Sequence, residues 1–277
     1  MGVCYIMKCP NCNTENPRDA RFCSECGALL PQMQSHMAET QRAAGATLAL
    51  GRAARQARLE AAVEPGAIIS TRAYNAVMIG VVVWGLLVNV LLCAYVGDVY
   101  RYINPVAFLI LYLVLAFGGI FIASKSDNAG ISFLGYNMVV VPLGLAISTM
   151  VAEYGGLDSQ VVKDAFLYTL VATLAMLGIE MMFPAFFEKL GMALLGCLIA
   201  LMLCEVVLLL FHVRQNVTDW IASGLFSVYI AYDIHRSQQF PKTLDNAVDC
   251  ALDIYLDMAN LFLRLLRILG SKNNNNK

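Results

Sequence analysis

Hydrophobic residues fill most of the chain from about residue 73 onward, and short polar stretches interrupt them at regular intervals. Six of the apolar runs are long enough to cross the ~30 Å hydrocarbon core of a bilayer. They lie at about 73–96, 103–124, 131–153, 163–183, 190–211 and 217–237. Because short connections join consecutive runs, the pattern predicts antiparallel neighbouring helices in one bundle.

The stretch from Thr243 to Gly270 has a different pattern, a polar stripe along an otherwise apolar helix. The stripe consists of Asp245, Asp249, Asp253, Asp257, Asn260, Arg264 and Arg267. At about 100° per residue these side chains fall within roughly a 120° sector. A charge at the bilayer centre costs at least ~2.5–3.5 kcal/mol, so this helix needs protein around it. We predict a seventh helix at the centre of the bundle, and the pattern leaves open whether it crosses fully or is re-entrant.

Composition supports a membrane protein. Hydrophobic residues make up 59% of the 277 residues and charged residues 14%, whereas soluble domains have about 45–50% and about 25%. We therefore predict an all-α, multi-pass protein whose seven-helix transmembrane domain spans residues 71–271 of the chain and lies in a lipid bilayer. The formal net charge of -1 argues against nucleic acid as a partner.

Four cysteines near the amino end have the spacing of a metal site. Two Cys-x-x-Cys pairs, Cys9 with Cys12 and Cys23 with Cys26, are separated by ten residues. Four thiolates suit tetrahedral Zn²⁺, and so short a segment cannot fold on a core of its own. Residues 7–30 resemble the short zinc ribbons of many bacterial membrane and regulatory proteins. Disulfides or free thiols are the alternative, and Cys4 lies outside the spacing.

Residues 31–70 are rich in Ala, Gly and Arg, which predicts a linker between the ribbon and the membrane domain. Basic residues set the expected orientation. With the amino end inside, eight of them lie on the inner side: Arg52, Arg55, Arg58, Arg72, Lys125, Lys189, Arg236 and Lys242. Three lie outside: Arg101, Lys163 and Arg214. We expect a bacterial cytoplasmic membrane with the amino terminus in the cytosol.

The sixth run ends with a carboxylate, Asp233, and leads directly into the striped helix. In a helical hairpin the two arms face each other, so Asp233 is expected to meet a member of the stripe. Two carboxylates in a low-dielectric site cannot both stay ionised cheaply, so they share a proton and sense pH. The alternative is that Asp233 pairs with Arg264, Arg267 or Lys125 as a structural contact, and periodicity does not fix the register.

Two segments resemble the signature motifs of the Bax inhibitor family of membrane proteins. They are GLFSVYIAYDIHR (Gly224 to Arg236) and ALDIYLDMANLFLRLLRILG (Ala251 to Gly270). The resemblance implies six helices around a central seventh and a pH-sensitive calcium leak governed by two aspartates. Those aspartates match Asp233 and Asp257, and Ca²⁺ is then the permeant ion.

The chain departs from the family pattern at two points. An arginine expected at the cytosolic end of the second helix is replaced by Ser124 and Lys125, and lysine lacks the bidentate fork of arginine. The acid expected within the second helix is missing. Glu205, in the fifth run, is an intramembrane acid that either lines the same cavity, which we favour, or hydrogen-bonds in its protonated form to a neighbour. The candidate pH sensor and ion pathway therefore includes Asp253, Glu205 and Lys125 in addition to the aspartate pair.

Two other functions compete with the leak. An intramembrane aspartyl protease would use two helix aspartates as acid and base, but its Gly-x-Gly-Asp motif is missing from the sequence, and we expect no enzyme. A non-transporting regulator is the stronger alternative. It would bind membrane-protein assemblies, such as a quality-control protease, through the zinc ribbon.

Overall fold

The computed structural model divides the chain into two units, residues 1–57 and residues 58–277. In the first it describes residues 6–8 and 13–17, and in the second residues 67–96, 105–123, 126, 128–210 and 216–275. The four zinc-ribbon cysteines and most of the predicted linker lie outside the described residues.

The described part of the first unit is a small hairpin. Strand β1 (Ile6–Lys8) pairs antiparallel with β2 (Glu15–Pro17), and Met7 lies opposite Asn16. Asn13 has a φ of 60°, a left-handed conformation that Asn adopts more readily than most residues. The first Cys-x-x-Cys pair falls between the two strands in sequence.

The described part of the second unit contains seven long helices and one short one. They are α1 (Thr71–Tyr95), α2 (Pro105–Ala123), α3 (Ala129–Glu153), α4 (Gln160–Met182), α5 (Pro184–Phe187), α6 (Gly191–Leu210), α7 (Asn216–Ser237) and α8 (Leu244–Asn275). The long helices match the seven predicted ones apart from small differences at their ends, which confirms the predicted fold class. The short helix α5 was not predicted. It forms because Pro184 cannot continue α4 and starts a new turn.

Helix α8 is the central helix of the bundle. It packs against α1, α3, α4 and α7, most extensively against α7. Between Asp245 and Leu261 every residue is buried except Leu256 and Asn260, which are half-buried. The acidic part of the stripe is therefore enclosed by protein, as expected from the free energy needed to place charged side chains in lipid.

Helix α8 also runs the whole length of the bundle. Its first turn meets the start of α3, where Ser132 contacts Asp245. Its later part meets the end of α3, where Gly270 lies against the ring of Tyr154. With 32 residues it is about 48 Å long. The last helix is thus one continuous helix that runs beside α3 from its start to its end.

Three helices meet the length and hydropathy of a membrane span when the described residues are searched. These are α1, α3 and α4, with mean hydropathies of 2.5, 1.7 and 1.7. The others are not thereby excluded, since many side chains of α2 and α6 are not described and α8 carries the charged stripe. Helix α8 tolerates its charges because the other helices surround it.

A glycine on α1 allows this helix to approach α3 and α8 closely. A Cβ atom at Gly85 would collide with the hydroxyl of Tyr136 and lie 2.9 Å from the ring of Tyr255. The Tyr136 hydroxyl donates to the Val81 carbonyl at 2.8 Å, and the Tyr255 hydroxyl donates to Asn89 Oδ1 at 3.0 Å. Two buried tyrosines thus fix α1 to its neighbours.

We predict that Gly85→Ala destabilises the bundle by about 1–3 kcal/mol, because the added methyl group overpacks a rigid aromatic contact. Gly80→Ala is the matched control on the same helix, since nothing lies within 4 Å of a Cβ atom there. The control should be as stable as the unmodified protein or slightly more stable. Thermal unfolding in detergent measures both variants, and equal melting temperatures would contradict the packing described here.

Candidate functional site

Six aspartates are buried on the facing helices α7 and α8. Each has at most 7% of its surface exposed: Asp219, Asp233, Asp245, Asp249, Asp253 and Asp257. Buried carboxylates need hydrogen-bonding or charged partners or a proton. This group is therefore the most unusual chemical feature of the described bundle.

Asp245 has a structural role at the beginning of α8. Ser132 on α3 donates to its Oδ1 at 2.5 Å. Thr243 caps the helix, since its Oγ1 accepts from the backbone N–H of Asn246 at 3.1 Å. A carboxylate in the first turn is also stabilised by the positive end of the helix dipole. Asp245 thus ties the start of α8 to α3.

Tyr74 on α1 fixes the register between α7 and α8. Its hydroxyl lies 3.1 Å from the Ser237 carbonyl oxygen and 3.3 Å from Cys250 Sγ. Because one hydroxyl group contacts both, the end of α7 is at the depth of the second turn of α8. The two arms of the hairpin are therefore unequal, as equal depth for Asp233 and Asp257 requires.

This register gives the depth of Asp233. At 1.5 Å per residue, Asp233 lies about 6 Å further into the bundle than Ser237, whereas Asp253 and Asp257 lie about 4.5 Å and about 10.5 Å beyond Cys250. Asp233 is thus at a level between Asp253 and Asp257. If the two arms of the hairpin had equal lengths, Asp233 would instead lie at about the level of Asp249.

The same register holds at the other end of the hairpin. Counting along both helices from Ser237 and Cys250 puts Asp219 at the level of residue 268. Asp219 Oδ1 does lie 2.9 Å from Arg267 Nη2. Independent contacts at two ends of α7 thus agree on one alignment.

Two cations lie near the end of α7. Arg236 is 8% exposed, and its guanidinium stands 5.2 Å from the centre of the Phe240 ring. Lys242 donates to the carbonyl oxygens of Gln238 at 2.6 Å and Ser237 at 3.1 Å. Burial lowers the pKa of Lys242. Positive charge is therefore held close to the acidic end of the hairpin.

His235 joins α7 to α4 at this end. Its Nδ1 lies 2.9 Å from Glu180 Oε1, and its Nε2 lies 3.0 Å from Gln239 Nε2. With the Gln239 amide assigned in this orientation, its NH₂ can only donate, so His235 accepts at Nε2 and donates from Nδ1 to Glu180. Sequence reasoning identified neither His235 nor Glu180 as a site residue.

The other half of α8 forms a buried ion-pair network. Arg264 contacts both carboxylate oxygens of Glu205, with Nη2 2.9 Å from Oε2, and its Nη1 lies 3.0 Å from Asp219 Oδ1. Arg267 contacts the same Asp219 oxygen. Two positive and two negative charges cancel. The network links α6, α7 and α8.

This network bears on two of the partners considered for Asp233, Arg264 and Arg267. Asp219 and Asp233 are fourteen residues apart on α7, or about 21 Å along the helix. Because Arg264 and Arg267 both bind Asp219, neither reaches Asp233. Glu205, expected to line the cavity of the aspartate pair, instead binds Arg264. Sequence reasoning missed Asp219. Its position near the start of α7, opposite Arg264 and Arg267 in an antiparallel hairpin, could have predicted this contact.

Some predicted site residues cannot be assessed. Lys125 and the cysteines at 9, 12, 23 and 26 lie outside the described residues, so the lysine latch and the zinc site stay predictions. Within the part of the chain that is described, no three His, Cys, Asp or Glu side chains are grouped to hold a metal ion.

The fold and the site define an integral membrane protein whose helices enclose a carboxylate-bearing central helix. Comparison with known families agrees. The family model described as "inhibitor of apoptosis-promoting Bax1" matches residues 67–274, and a zinc-ribbon domain model matches residues 8–30. The chain belongs to the Bax inhibitor family, as its two signature segments indicated, and carries an amino-terminal zinc-ribbon domain.

Individual relatives come from distant organisms. An uncharacterised protein of Campylobacter jejuni is 30% identical over 47% of this chain and 54% of its own length. The "Golgi anti-apoptotic protein" of vaccinia virus is 32% identical over 47% of this chain and 54% of its own. "Bax inhibitor 1" of Saccharomyces cerevisiae is 41% identical over 21% and 19%. The matched part thus spans about half or less of each relative.

We predict that Arg264→Gln destabilises the protein by at most about 3–5 kcal/mol, the cost at a fully buried site, because buried Asp219 and partly buried Glu205 lose their shared cationic partner. The control is Asp158→Asn, which removes an exposed contact with Lys163 at 3.9 Å. It should leave the melting temperature unchanged. A melting temperature for Arg264→Gln that equals the control would show that the network does not stabilise the bundle.

Proposed function

We propose that this protein is a pH-sensitive leak for Ca²⁺ or a similar cation, with Asp233 and Asp257 as the proton-sharing pair. One observation carries the proposal: two carboxyl groups, 4% and 3% exposed, lie on packed neighbouring helices whose register puts them within about one helical turn of each other in depth. Membership of the Bax inhibitor family supports it.

The proton is held because the site is enclosed. Two carboxylates at short range in a low-dielectric medium repel strongly, so the pair keeps one proton and forms a hydrogen bond. Asp253 lies within about one turn of both and adds to the repulsion. Arg264 and Arg267 are engaged elsewhere and do not neutralise it.

Loss of the shared proton would then open the pathway. Deprotonation replaces an attractive hydrogen bond by repulsion between two charges, which favours separation of α7 from α8. The freed carboxylate oxygens are hard ligands of the kind that Ca²⁺ prefers. We therefore expect the leak to increase as the pair loses its proton.

The ion-pair network forms a second barrier in this proposal. A cation that passes along α8 from Asp257 meets Arg264 about 10.5 Å further on. The guanidinium repels cations, while Glu205 and Asp219 neutralise it and hold it in place. In this view Glu205 controls the far end of the pathway, and Lys125 stays a candidate latch at the near end.

The basic residues on the inner side support an amino end in the cytosol, and the similarity to a Campylobacter jejuni protein supports a bacterial cytoplasmic membrane. This orientation puts the Asp233 end of the bundle on the cytosolic side. Cytosolic pH would then act on the pair.

We predict that Ca²⁺ flux into proteoliposomes rises between about pH 6 and about pH 8, and that Asp257→Asn removes this dependence because an amide has no proton to lose in this range. Asp158→Asn, which alters a fully exposed carboxylate, should keep the original profile. Flux that is unchanged across this range, or pH-dependent flux in Asp257→Asn, would end the leak proposal.

A second role is supported by the zinc-ribbon match over residues 8–30. Four cysteine thiolates at this spacing suit one Zn²⁺, which would supply the folding energy of so small a unit. A ribbon of this kind is suited to protein contacts, so the chain would act as a non-enzymatic adaptor for membrane-protein assemblies. The leak and the adaptor role are compatible.

We predict one Zn²⁺ per chain in purified protein, because the four thiolates complete a tetrahedral site. The double variant Cys9→Ser/Cys12→Ser should lose the metal, whereas Cys4→Ser should keep it. Metal analysis by mass spectrometry measures the stoichiometry. If the double variant also loses its activity in cells but keeps flux in proteoliposomes, both roles coexist, and a stoichiometry near zero in the unmodified protein would contradict the zinc site.

A further inference from the structure

A groove of about 330 Å³ runs between α1, α3 and α4, with α8 at its floor. Its volume is in the range of about 300–1,000 Å³ that is typical of small-molecule sites. Met258, Ala259 and Phe262 form the floor, and mostly apolar side chains of the other three helices form the walls, with Asn89 and Thr169 as polar members. The mechanism proposed above does not use this groove.

The groove lies at the depth of the membrane. Its walls are α1, α3 and α4, the three helices that qualify as spans by length and hydropathy. Val90 on α1 and Phe166 and Leu170 on α4 are 45%, 52% and 41% exposed. These side chains border the opening, so the groove is accessible to the lipid phase. An apolar groove accessible at this depth fits an acyl chain.

One end of the groove is positively charged. Lys163, in the first turn of α4, belongs to its lining. The ammonium group lies 3.9 Å from Asp158, and the two side chains are 56% and 107% exposed. A contact between two exposed side chains is weak, so an anionic headgroup can compete for the lysine. Lysine at a helix end is well placed to reach the headgroup layer.

We propose that the groove is a binding site for one anionic phospholipid, whose headgroup pairs with Lys163 and whose acyl chain packs on α8. The site is on the side of the α3–α4 connection. Its floor begins with Met258, the residue after Asp257, so the lipid packs behind the turn of α8 that carries this aspartate. The proposal does not depend on ion flux.

Lipid retention in native mass spectrometry tests the site directly, with phosphatidylglycerol and phosphatidylcholine as probes. We expect one retained phosphatidylglycerol per chain. Lys163→Gln should weaken retention about fivefold, which corresponds to about 1 kcal/mol for one basic residue near an anionic headgroup. Lys163→Arg should retain the lipid.

Filling the groove should abolish retention. Val90→Trp and Leu170→Trp place a large ring at the opening from opposite walls. Leu174→Trp is the matched control, since Leu174 is on α4, is 58% exposed and does not line the groove. Lys189→Gln, at the opposite end of the bundle, is the charge control. Both controls should retain the lipid.

Three results would overturn the proposal. The first is equal retention of phosphatidylglycerol and phosphatidylcholine. The second is unchanged retention in both groove-filling variants, and the third is retention of a free fatty acid, such as oleate, in place of the phospholipid. Melting temperatures of the tryptophan variants in detergent show that they are folded, so a lost lipid is not confused with a lost fold.

Discussion

Enclosure of the acidic part of α8 is the constraint on which the rest of the structure depends. Four aspartates every four residues cannot face lipid, since each charge costs at least ~2.5–3.5 kcal/mol at the bilayer centre. The chain meets this constraint by packing α1, α3, α4 and α7 around them. The close approach at Gly85 and the buried tyrosines follow from it, because a central helix must be contacted on several sides.

Helix α8 has two chemically different halves. Its first half carries acids, and its second half carries Arg264 and Arg267, which are neutralised by Glu205 and Asp219. A neutral network holds one end of the bundle together, while the aspartates at the other end lie near Arg236 and Lys242. In the proposed function, the same helix combines a stable anchor with a group of carboxylates that responds to pH.

Sequence reasoning predicted much of this fold because the signals were strong. The length of the apolar runs predicted six helices, and the narrow stripe predicted a seventh, enclosed helix. The register of α7 against α8 was not predictable, because it depends on how far the chain from Gln238 to Thr243 extends and on Tyr74, which is remote in sequence. The partners of Glu205 depended on that same register. The motif identified Asp233 and Asp257, but the level of Asp233, between Asp253 and Asp257, became apparent only from the Tyr74 contacts.

The central claim is that Asp233 and Asp257 hold one proton between them inside the bundle. Infrared difference spectroscopy of the reconstituted protein tests it most directly, since a protonated carboxyl group has its own C=O stretching band. The account predicts a band that disappears as pH rises from about 6 to about 8 and that is lost in both Asp233→Asn and Asp257→Asn, but not in Asp158→Asn. A band that survives either of the first two substitutions, or no such band at all, would contradict it.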